Sequence, residues 1–395
     1  MKILGCVGMM LAALFCLTAF TSGVVSAEEM TDYPVDAVVT EAEVMAVPAR
    51  SALLMDAQSG RVLFEQNADE PMPPASITKI MTLLLTFEAL EDGTLTPGQM
   101  ITASEHAASM GGTQIWLEPG EEMALEDLIK ATAINSANDA AMALAEAVSG
   151  SEMAFVEAMN QRAASLGMTG THFVNPTGLD AEGHLSTARD IAIMSRELMS
   201  HPEALAYTSI WMDSLRGGET ALVNTNKLVR YYSGCNGLKT GTTDGAGSCL
   251  SATAVRDGLS LVAVSMGSPT SAERFESCRL LLDYGFSAFE EAAPSLPAEE
   301  ITDIPVLRGT ARQVPVTAEA APSLLVPKGR SGDITHEVTL AEDLEAPVEQ
   351  GQIVGSITFS LDGEELCEIP LLAAESVSRM DFWAAFRMLW YQLLS

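Results

Sequence analysis

Strand-like patterns at two distant places in the chain enclose a helix-rich stretch. Residues 51–69 read SALLMDAQSGRVLFEQNAD, which is typical of two strands joined by a turn around Gln58-Ser59-Gly60. Helical periodicity dominates from residue 76 to about residue 200, as in LEDLIKATAI and DAAMALAEAV. From about residue 236 a period of two returns in GLKTG, SCLSATAVRDG and LSLVAVSMG, and a helical pattern follows in SAERFESCRLLLDYGFSAF. We therefore predict an α+β fold in which the two ends build one antiparallel sheet beside a helical lobe.

We place this α+β domain at residues 49–291. The two segments before it differ from it in composition. Residues 1–27 contain one early lysine, a long apolar stretch and the small residues Val25-Ser26-Ala27, as in a secretory signal peptide. An uncleaved membrane anchor is the alternative. Both interpretations predict that the bulk of the protein is exported. The acidic residues 28–48 lack clear periodicity and are predicted to form a linker.

Two further segments follow the α+β domain. After the linker-like EEAAPSLPAEE, short Val-, Ile- and Leu-rich runs separated by Pro and Gly predict a small all-β domain over residues 296–372. Residues 373–395 are predicted to form an amphipathic helix, in which Phe382, Phe386 and Trp390 follow helical spacing. Aromatic and arginine residues in such a helix suit a membrane surface. The alternative is a terminal helix packed on its own domain.

Charge and cysteine content exclude several functions. The chain of 395 residues has 53 Asp plus Glu against 21 Lys plus Arg, so no nucleic-acid partner is expected. The four cysteines after residue 27 lie far apart without metal-binding spacing, and no metal or other cofactor is predicted. Cys235 and Cys249 lie in neighbouring predicted strands, so both a disulfide and free thiols remain open.

A serine and a lysine lie one helical turn apart in residues 73–82, PPASITKIMT. Taken alone, Ser76 would start or cap a helix and Lys79 would extend to solvent, which is the common outcome for such a pair. The apolar run IMTLLLTFEAL that follows makes this lysine unusual, because lysine is rarely buried without a partner. The pair is therefore a candidate catalytic site whose interpretation depends on the rest of the chain.

Two later stretches combine hydroxyl and amine groups in turn contexts. Ser136-Ala-Asn138 lies between two helical patterns, where Ser136 and Asp139 also match a capping box. Lys239-Thr240-Gly241 lies near the end of a predicted strand before a Gly-rich turn. In this order, S-x-x-K, S-x-N and K-T-G form the motif set of penicillin-binding proteins and class A β-lactamases.

With these motifs the chain resembles the serine-type D-alanyl-D-alanine carboxypeptidases, the low-molecular-mass penicillin-binding proteins of peptidase family S11. The resemblance extends to VNPTGLDAEGHLSTARDIA, to TDGAGSCLSATA, to the trailing β domain and to the terminal helix. It implies a β-lactamase/transpeptidase-like domain that removes the terminal D-alanine from peptidoglycan stem pentapeptides in cell-wall maturation. It also implies that β-lactam antibiotics are covalent inhibitors and that the protein is held at the extracytoplasmic face of the bacterial cytoplasmic membrane.

The resemblance assigns the acylation chemistry to the first two motifs. Ser76 is the expected nucleophile and Lys79 its general base, because a serine hydroxyl attacks only when a neighbouring base takes its proton. Desolvation in the apolar helix and repulsion by Lys239 should keep Lys79 neutral. Ser136 is expected to relay the proton to the leaving amine. Asn138 would bond the substrate amide or Lys79.

Substrate recognition is assigned to the strand side of the site. Lys239 and Thr240 are expected to bind the terminal carboxylate, and Gly241 is a further expected substrate-binding residue. The backbone N–H groups of Ser76 and Thr242 would form the oxyanion hole. Arg274 matches a position near the carboxylate pocket, although a surface position on its helix is an equal alternative.

Three competing functions stay open at this point. A β-lactamase would share the acylation residues, but no E-x-x-L-N pattern lies between Asn138 and Lys239, and the second motif reads S-A-N rather than S-D-N. Slow deacylation is therefore expected. An endopeptidase that cuts D-Ala cross-links could use the same scaffold, with selectivity set by loops around residues 105–120 and 170–185. A binding module with an inactive site is the non-catalytic alternative.

Overall fold

The computed structural model describes residues 46–383, 385, 386 and 390. The predicted signal peptide and almost all of the predicted linker lie outside these residues. The strands of the first part of the chain are β1 Ser51–Asp56, β2 Val62–Gln66, β3 Met100–Thr102, β4 Glu122–Ala124, β5 Met212–Leu215, β6 Thr220–Val223, β7 Cys235–Thr243, β8 Gly247–Arg256, β9 Leu259–Ser268 and β10 Phe289–Ala292. The helices are α1 Lys79–Glu91, α2 Glu105–Ala108, α3 Leu125–Ile134, α4 Asn138–Ser149, α5 Glu152–Ser165, α6 Ala188–Met199, α7 Pro202–Thr208, α8 Leu228–Tyr231 and α9 Ser271–Ala288.

A five-stranded antiparallel sheet in the order β2-β1-β9-β8-β7 joins the two ends of this region, which confirms the predicted architecture. Strand β1 pairs with β9, from Ser51 opposite Met266 to Asp56 opposite Leu261, so residues more than two hundred positions apart lie side by side. Strand β7 forms the outer edge and therefore presents one row of backbone groups away from the sheet.

Both faces of the sheet are covered, which explains why its central strands are apolar at nearly every position. Leu53 and Met55 belong to the core shared with the helical lobe, whereas Leu54 belongs to the core beneath α9. At Gly285 of α9 an added Cβ would lie 2.5 Å from a methyl carbon of Leu261, so the helix packs closely on the sheet there.

Helix α1 runs through the centre of the helical lobe. Most of its apolar side chains are buried, and Lys79, Thr82 and Thr86, which form a polar stripe along the helix, are also fully buried. Thr82 Oγ1 donates to the Pro176 carbonyl at 2.6 Å, and Thr86 Oγ1 donates to the Thr82 carbonyl at 2.7 Å. The polar stripe therefore faces a non-helical segment of the protein instead of solvent.

The C-terminal part is all-β, as predicted. Its strands are β11 Ile304–Leu307, β12 Gln313–Val314, β13 Val316–Ala318, β14 Leu324–Pro327, β15 Thr335–Leu340, β16 Leu344–Glu345, β17 Ile353–Leu361 and β18 Glu364–Ala373. One sheet has the order β13-β18-β17-β15 and another has the order β12-β11-β16. A separate apolar core that includes Ile357, Phe359 and Leu371 lies among these strands.

A short ladder joins the two parts of the chain. Strand β10 begins directly after α9 and pairs with β14, from Phe289 opposite Pro327 to Ala292 opposite Leu324. Leu325 of β14 belongs to the same core as α9. The boundary predicted between residues 291 and 296 stays a prediction, and this ladder pairs strands from either side of it.

The predicted start of the terminal helix at residue 373 is wrong. Ala373 ends β18, Val377 is buried and bridges to Val348, and helical structure among the described residues begins at Phe382. Apolar contact and backbone pairing hold residues 373–381 on the β domain. The remaining positions of the predicted helix, 384, 387–389 and 391–395, lie outside the described residues.

Two further findings concern cysteines and hydropathy. All four cysteines of the described chain are free thiols, and Cys235 lies opposite Ala254 whereas Cys249 lies opposite Gly241. The disulfide considered between Cys235 and Cys249 is therefore not formed.

Over the described residues, we find no helix with the length and apolar character needed to span a bilayer.

Candidate active site

Ser76 lies in a tight turn at the entrance to α1. Residues Ala75–Thr78 form a 3-10 turn, and α1 starts at Lys79 without a side-chain cap. Ser76 therefore does not cap this helix. Ala75 has a φ of 49°, a left-handed conformation that is uncommon for a residue with a Cβ. Such strain is typical of functional sites, where the surrounding structure fixes an unfavourable backbone.

Lys79 is completely buried, so the alternative in which it extends to solvent is wrong. Its Nζ lies 3.1 Å from Ser76 Oγ, 2.6 Å from Asn138 Oδ1 and 2.7 Å from the Thr177 carbonyl oxygen. Desolvation and, to a smaller extent, the charge of Lys239 hold the pKa of Lys79 well below its usual value. The first motif thus places a serine hydroxyl beside an amine that favours its neutral form.

The S-x-N motif lies at the start of α4. Asn138 opens the helix, and its Nδ2 donates to the Gly111 carbonyl at 2.7 Å while its Oδ1 faces Lys79. Ser136 has a φ of 65°, and Ala137 occupies the N-cap without a side-chain bond. The capping box predicted for Ser136 and Asp139 is therefore wrong. The backbone of the motif turns before the helix and directs Asn138 inward.

The Asp139 carboxylate bonds to a distant loop instead. It accepts hydrogen bonds from the backbone N–H groups of Ile115 at 3.1 Å and Leu117 at 3.1 Å. Asp139 is completely buried, so these bonds satisfy a charge that would otherwise be costly. The sequence contained no signal for this role, because the partner is a backbone more than twenty residues away.

The K-T-G motif lies on the edge strand β7. Lys239 is buried, and its Nζ donates to the Thr240 carbonyl at 3.0 Å. Desolvation, aided by the charge of Arg274, lowers the pKa of Lys239 to about 7. Thr240 Oγ1 donates to Thr225 Oγ1 at 2.7 Å, which fixes the threonine side chain.

Two glycines allow the backbone around Ser76 to pack closely. A Cβ on Gly241 would lie 2.9 Å from the Ala75 Cβ and 3.0 Å from the Ser76 nitrogen. A Cβ on Gly178 would lie 1.9 Å from the Ala75 carbonyl oxygen, and Gly178 also has a φ of 81°. Only glycine fits at either place without displacing the turn that carries Ser76.

Arg274 is buried against the end of the K-T-G motif, so the alternative of an exposed helix position is wrong. Its side chain is buried, and Nη1 donates to the Gly241 carbonyl at 3.0 Å and to Thr242 Oγ1 at 2.7 Å. Its Nε is buried without a hydrogen-bond partner among the described residues. Arg274 therefore connects the first turn of α9 to the end of the K-T-G motif and adds positive charge there.

Sequence reasoning expected a loop around residues 170–185 to shape the cleft, but it missed the contacts that segment 174–184 makes on both sides of the site. Its Thr177 carbonyl contacts Lys79, and Asp180 Oδ1 accepts a bond from Thr243 Oγ1 at 2.7 Å. His184 joins it to the turn before α1, since His184 Nε2 lies 2.8 Å from Thr78 Oγ1. The available signal was the turn-forming Asn, Pro, Asp and Gly residues of VNPTGLDAEG, which predict a turn but do not identify its contacts.

The site can support nucleophilic chemistry without a metal ligand set. Across the described residues there is no grouping of three or more His, Cys, Asp or Glu side chains that could hold a metal ion. A serine hydroxyl next to a desolvated amine is an activated nucleophile in which lysine replaces the usual histidine base. Fold and site together indicate the class of serine hydrolases in which a buried lysine lies beside the serine.

Comparison with known proteins assigns the family. The profile described as D-alanyl-D-alanine carboxypeptidase matches residues 37–270, and the profile described as the C-terminal domain of penicillin-binding protein 5 matches residues 295–379. The D-alanyl-D-alanine carboxypeptidase DacF of Bacillus subtilis is 40% identical over 86% of this chain and 88% of its own length. The chain belongs to the peptidase S11 family of D-alanyl-D-alanine carboxypeptidases.

Solved structures agree with this assignment. Penicillin-binding protein 5 from Haemophilus influenzae matches with a TM-score of 0.74 and 30% identity, covering 85% of this chain and 99% of that chain. Penicillin-binding protein D2 from Listeria monocytogenes, in its ampicillin-bound form, matches with a TM-score of 0.56 and 34% identity, covering 61% of this chain and 99% of that chain. The predicted transpeptidase-like domain is therefore confirmed.

Proposed function

We propose that this protein hydrolyses the terminal D-Ala-D-Ala bond of peptidoglycan stem pentapeptides through an acyl-enzyme on Ser76, and that penicillins acylate the same residue. The observation that carries the proposal is the fully buried Lys79 amine 3.1 Å from Ser76 Oγ. Membership of the D-alanyl-D-alanine carboxypeptidase family supports the choice of substrate.

The contacts of Lys79 suit a neutral base. A neutral amine has two N–H donors and one lone pair, and two of the three neighbours of Nζ, Asn138 Oδ1 and the Thr177 carbonyl, are acceptors only. With those two donors occupied, the lone pair is directed at Ser76 Oγ. The serine proton then passes to Lys79 as the Ser76 oxygen bonds to the carbonyl carbon of the penultimate D-alanine.

Ser136 would complete the first half-reaction. When the tetrahedral intermediate collapses, the amine of the terminal D-alanine leaves and takes the proton from Lys79 by way of the Ser136 hydroxyl. Ser136 precedes Asn138 by two residues and is mostly buried, which supports a place beside Lys79. Attack of water on the acyl-Ser76 ester, with Lys79 again accepting a proton, releases the shortened stem and restores the serine.

The strand side of the site would hold the substrate by charge. Lys239, which is partly protonated at neutral pH, and the Arg274 guanidinium are buried next to Thr240, Gly241 and Thr242, and they suit the terminal carboxylate. The backbone N–H groups of Ser76 and Thr242 would stabilise the oxyanion. The absence of a side chain at Gly241 supports this assignment, because a Cβ there would approach the Ser76 nitrogen to 3.0 Å.

Two substitutions test the nucleophile and the base. Ser76→Ala should abolish both D-alanine release and covalent penicillin labelling, and Lys79→Met should reduce acylation at least about a hundredfold, the usual contribution of a general base. Mass spectrometry should map the penicillin adduct to the peptide containing Ser76. Ser195→Ala, at a buried serine that bonds Ser251 instead of Lys79, and Lys130→Met serve as controls. D-alanine release by the Ser76→Ala protein would refute the proposal.

Two measurements distinguish a carboxypeptidase from a β-lactamase and from an endopeptidase: the lifetime of the penicillin adduct and the cleavage of cross-linked stems. A penicillin adduct that persists after removal of free drug supports a carboxypeptidase, whereas rapid release of penicilloic acid would identify a β-lactamase. Comparison of a free pentapeptide with a cross-linked dimer as substrate separates carboxypeptidase from endopeptidase action. We expect faster release of D-alanine from the free pentapeptide.

We also propose that the protein is exported and that its C-terminal aromatic residues attach it to the extracytoplasmic face of the cytoplasmic membrane. Phe382, Trp383, Phe386 and Trp390 are exposed, and their rings contact one another in a continuous row. Exposed aromatic rings of this kind suit the headgroup region of a bilayer. Export is supported by the signal-like sequence of residues 1–27 and by the cell-wall substrate of the family.

A further inference from the structure

Trp116 is an exposed aromatic residue in a strained backbone conformation. Its side chain is 74% exposed, and its φ is 60°, the left-handed region that a bulky residue rarely adopts. The neighbouring Ile115 and Leu117 are buried, so the indole projects outward between two inward-pointing side chains. Backbone strain at an exposed aromatic residue that adds nothing to the core points to a function for that side chain.

Two charged side chains hold the Trp116 backbone in this conformation. The buried Asp139 carboxylate accepts from the N–H groups of Ile115 and Leu117, at 3.1 Å each. From the other side, Arg216 Nη1 donates to the Ile115 carbonyl at 2.9 Å. The residues on either side of Trp116 are thereby fixed, and the indole is presented on a rigid support.

Arg216 is itself anchored in this position. Its guanidinium donates twice to the Glu121 carboxylate, at 2.8 and 3.1 Å, and once to Thr220 Oγ1 at 3.0 Å. A shallow cavity of about 480 Å³ lies between these groups. Its walls are Trp116, Glu118, Pro119, Gly120, Glu121 and Arg216.

This cavity is connected to the candidate active site through a short stretch of backbone. Thr113, three residues before Trp116, accepts a hydrogen bond from the Asn138 N–H at 2.7 Å, and the Gly111 carbonyl binds the Asn138 side chain. Asn138 contacts Lys79 directly, and Asp139 is the next residue of α4. The indole therefore lies on the side of the site formed by the S-x-N motif.

We propose that Trp116 and its cavity form a subsite for a neutral N-acetylated sugar ring of the peptidoglycan glycan strand. The flat indole face can cover the C–H face of a pyranose ring, and aromatic surfaces of this size contribute strongly to recognition. Glu118, Glu121 and Arg216 offer acceptors and donors for the ring hydroxyl and acetamido groups. The choice of polymer rests on the proposed function, while the sugar contact itself does not require catalysis.

Charge favours a sugar over the stem peptide as the occupant. Two carboxylates, Glu118 and Glu121, line the cavity against the single guanidinium of Arg216, which already pairs with Glu121. The cavity therefore has net negative charge, and an anionic stem peptide would be repelled. A neutral sugar carries no such cost. The cationic groups that suit the peptide carboxylate, Lys239 and Arg274, lie at the K-T-G strand instead.

Direct binding tests the subsite without reference to catalysis. Full-length protein would be titrated by calorimetry with the neutral β-1,4-linked tetramer of N-acetylglucosamine and, separately, with the corresponding trimer. Trp116→Ala and Trp116→Leu should weaken binding about tenfold, the loss expected for one aromatic contact. Trp116→Phe should retain most of it because a flat ring remains. Tyr231→Ala removes an equally exposed aromatic ring elsewhere and should bind as the wild-type protein does.

The outcomes separate this inference from the proposed carboxypeptidase activity. Failure of the wild-type protein to bind either saccharide, or equal binding by the wild-type, Trp116→Ala and Trp116→Leu proteins, would overturn the subsite. A second readout is the rate of D-alanine release from glycan-linked pentapeptides divided by the rate from free pentapeptide. This ratio should fall about tenfold in Trp116→Leu. Absence of D-alanine release from free pentapeptide by wild-type protein would instead contradict the proposed function and leave saccharide binding as a separate result.

Discussion

Lys239 combines complete burial with a strongly lowered pKa. Its usual pKa is about 10.4, but burial and the neighbouring Arg274 lower the pKa to about 7 in the folded protein. At neutral pH this lysine is therefore only partly charged, in contrast to an exposed lysine. Because Lys239 also contributes to the lowered pKa of Lys79, the two amines are electrostatically linked across the site.

The lowered pKa of Lys239 predicts a stability difference that depends on pH. Between pH 7 and the unfolded pKa, the unfolded chain binds a proton that the folded protein has released, so the free energy of unfolding rises with pH. Relative to Lys239→Met, the wild-type protein should gain up to about 1.4 kcal/mol per pH unit above pH 7.

Urea unfolding of both proteins at pH 6.5, 7.5 and 8.5 measures this difference. The exposed Lys227→Met variant is the control and should keep a constant difference from the wild-type protein over that range. Parallel pH profiles for the wild-type and Lys239→Met proteins would show that burial does not lower the pKa of Lys239.

At the residue scale, sequence reasoning identified the groups of the site but not all of their partners. The lysine in an apolar helix indicated a buried amine, and Lys79 is fully buried beside Ser76. The role of Asp139 was missed because Ser136 and Asp139 fit a local capping pattern equally well. The Thr177 carbonyl could not be predicted at all, since every residue has a backbone acceptor.

At the element scale, the segment 174–184 and the turn before α1 depend on each other through Gly178. Gly178→Ala would place a Cβ 1.9 Å from the Ala75 carbonyl oxygen, in addition to the cost of a positive φ. We expect a loss of stability of about 2 to 5 kcal/mol from overpacking and backbone strain together, and slower acylation of Ser76. Urea unfolding and the rate of labelling by fluorescent penicillin measure the two effects.

Gly183→Ala is a matched control for this prediction. Gly183 lies in the same segment with a nearly equal φ of 79°, but the nearest atom to its added Cβ is 4.0 Å away. The Gly183→Ala protein should lose only about 1 to 2 kcal/mol of its free energy of unfolding, which is the cost of the left-handed backbone. Its Ser76 should be acylated at the wild-type rate. Equal losses in the two variants would mean that close packing at Gly178 has no special role.

Alternating and helical sequence patterns predicted the strands and helices correctly where buried side chains recur at regular intervals along the chain. Strands β1, β7, β8 and β9 and helix α9 lie where alternation or helical periodicity indicated them. Residues 373–381 were assigned to a helix because their neighbours follow helical spacing, yet pairing of Val377 with Val348 holds them on the β domain. Such pairing depends on a partner distant in sequence, which local periodicity cannot reveal.

At the scale of the whole molecule, a truncation tests membrane attachment if it spares the backbone pairs that hold residues 373–381 on the β domain. Deletion from residue 376 would remove Val377 and Arg379, which pair with Val348 and Gly309 of the β domain. A chain that ends after Asp381 retains those pairs and loses residues 382–395, which include the aromatic row. This truncated protein should no longer sediment with vesicles of anionic phospholipid, whereas the full-length protein should sediment.

The stability of the truncated protein provides the control for this experiment. Its free energy of unfolding should stay within about 0.5 kcal/mol of that of the full-length protein, as for a change on the surface. Undiminished sedimentation of the truncated protein would contradict attachment through these residues and would favour the alternative of a helix packed on its own domain.

The ladder between β10 and β14 has a mechanical consequence. Where a membrane holds the tail, tension on the protein passes through the β domain to four residue pairs, Phe289 to Ala292 opposite Leu324 to Pro327. That ladder ends directly at α9, and the first turn of α9 carries Arg274 against Gly241. Such a load would reach Arg274 near the opposite end of α9 and, through its bonds to Gly241 and Thr242, the K-T-G strand that we propose binds the substrate.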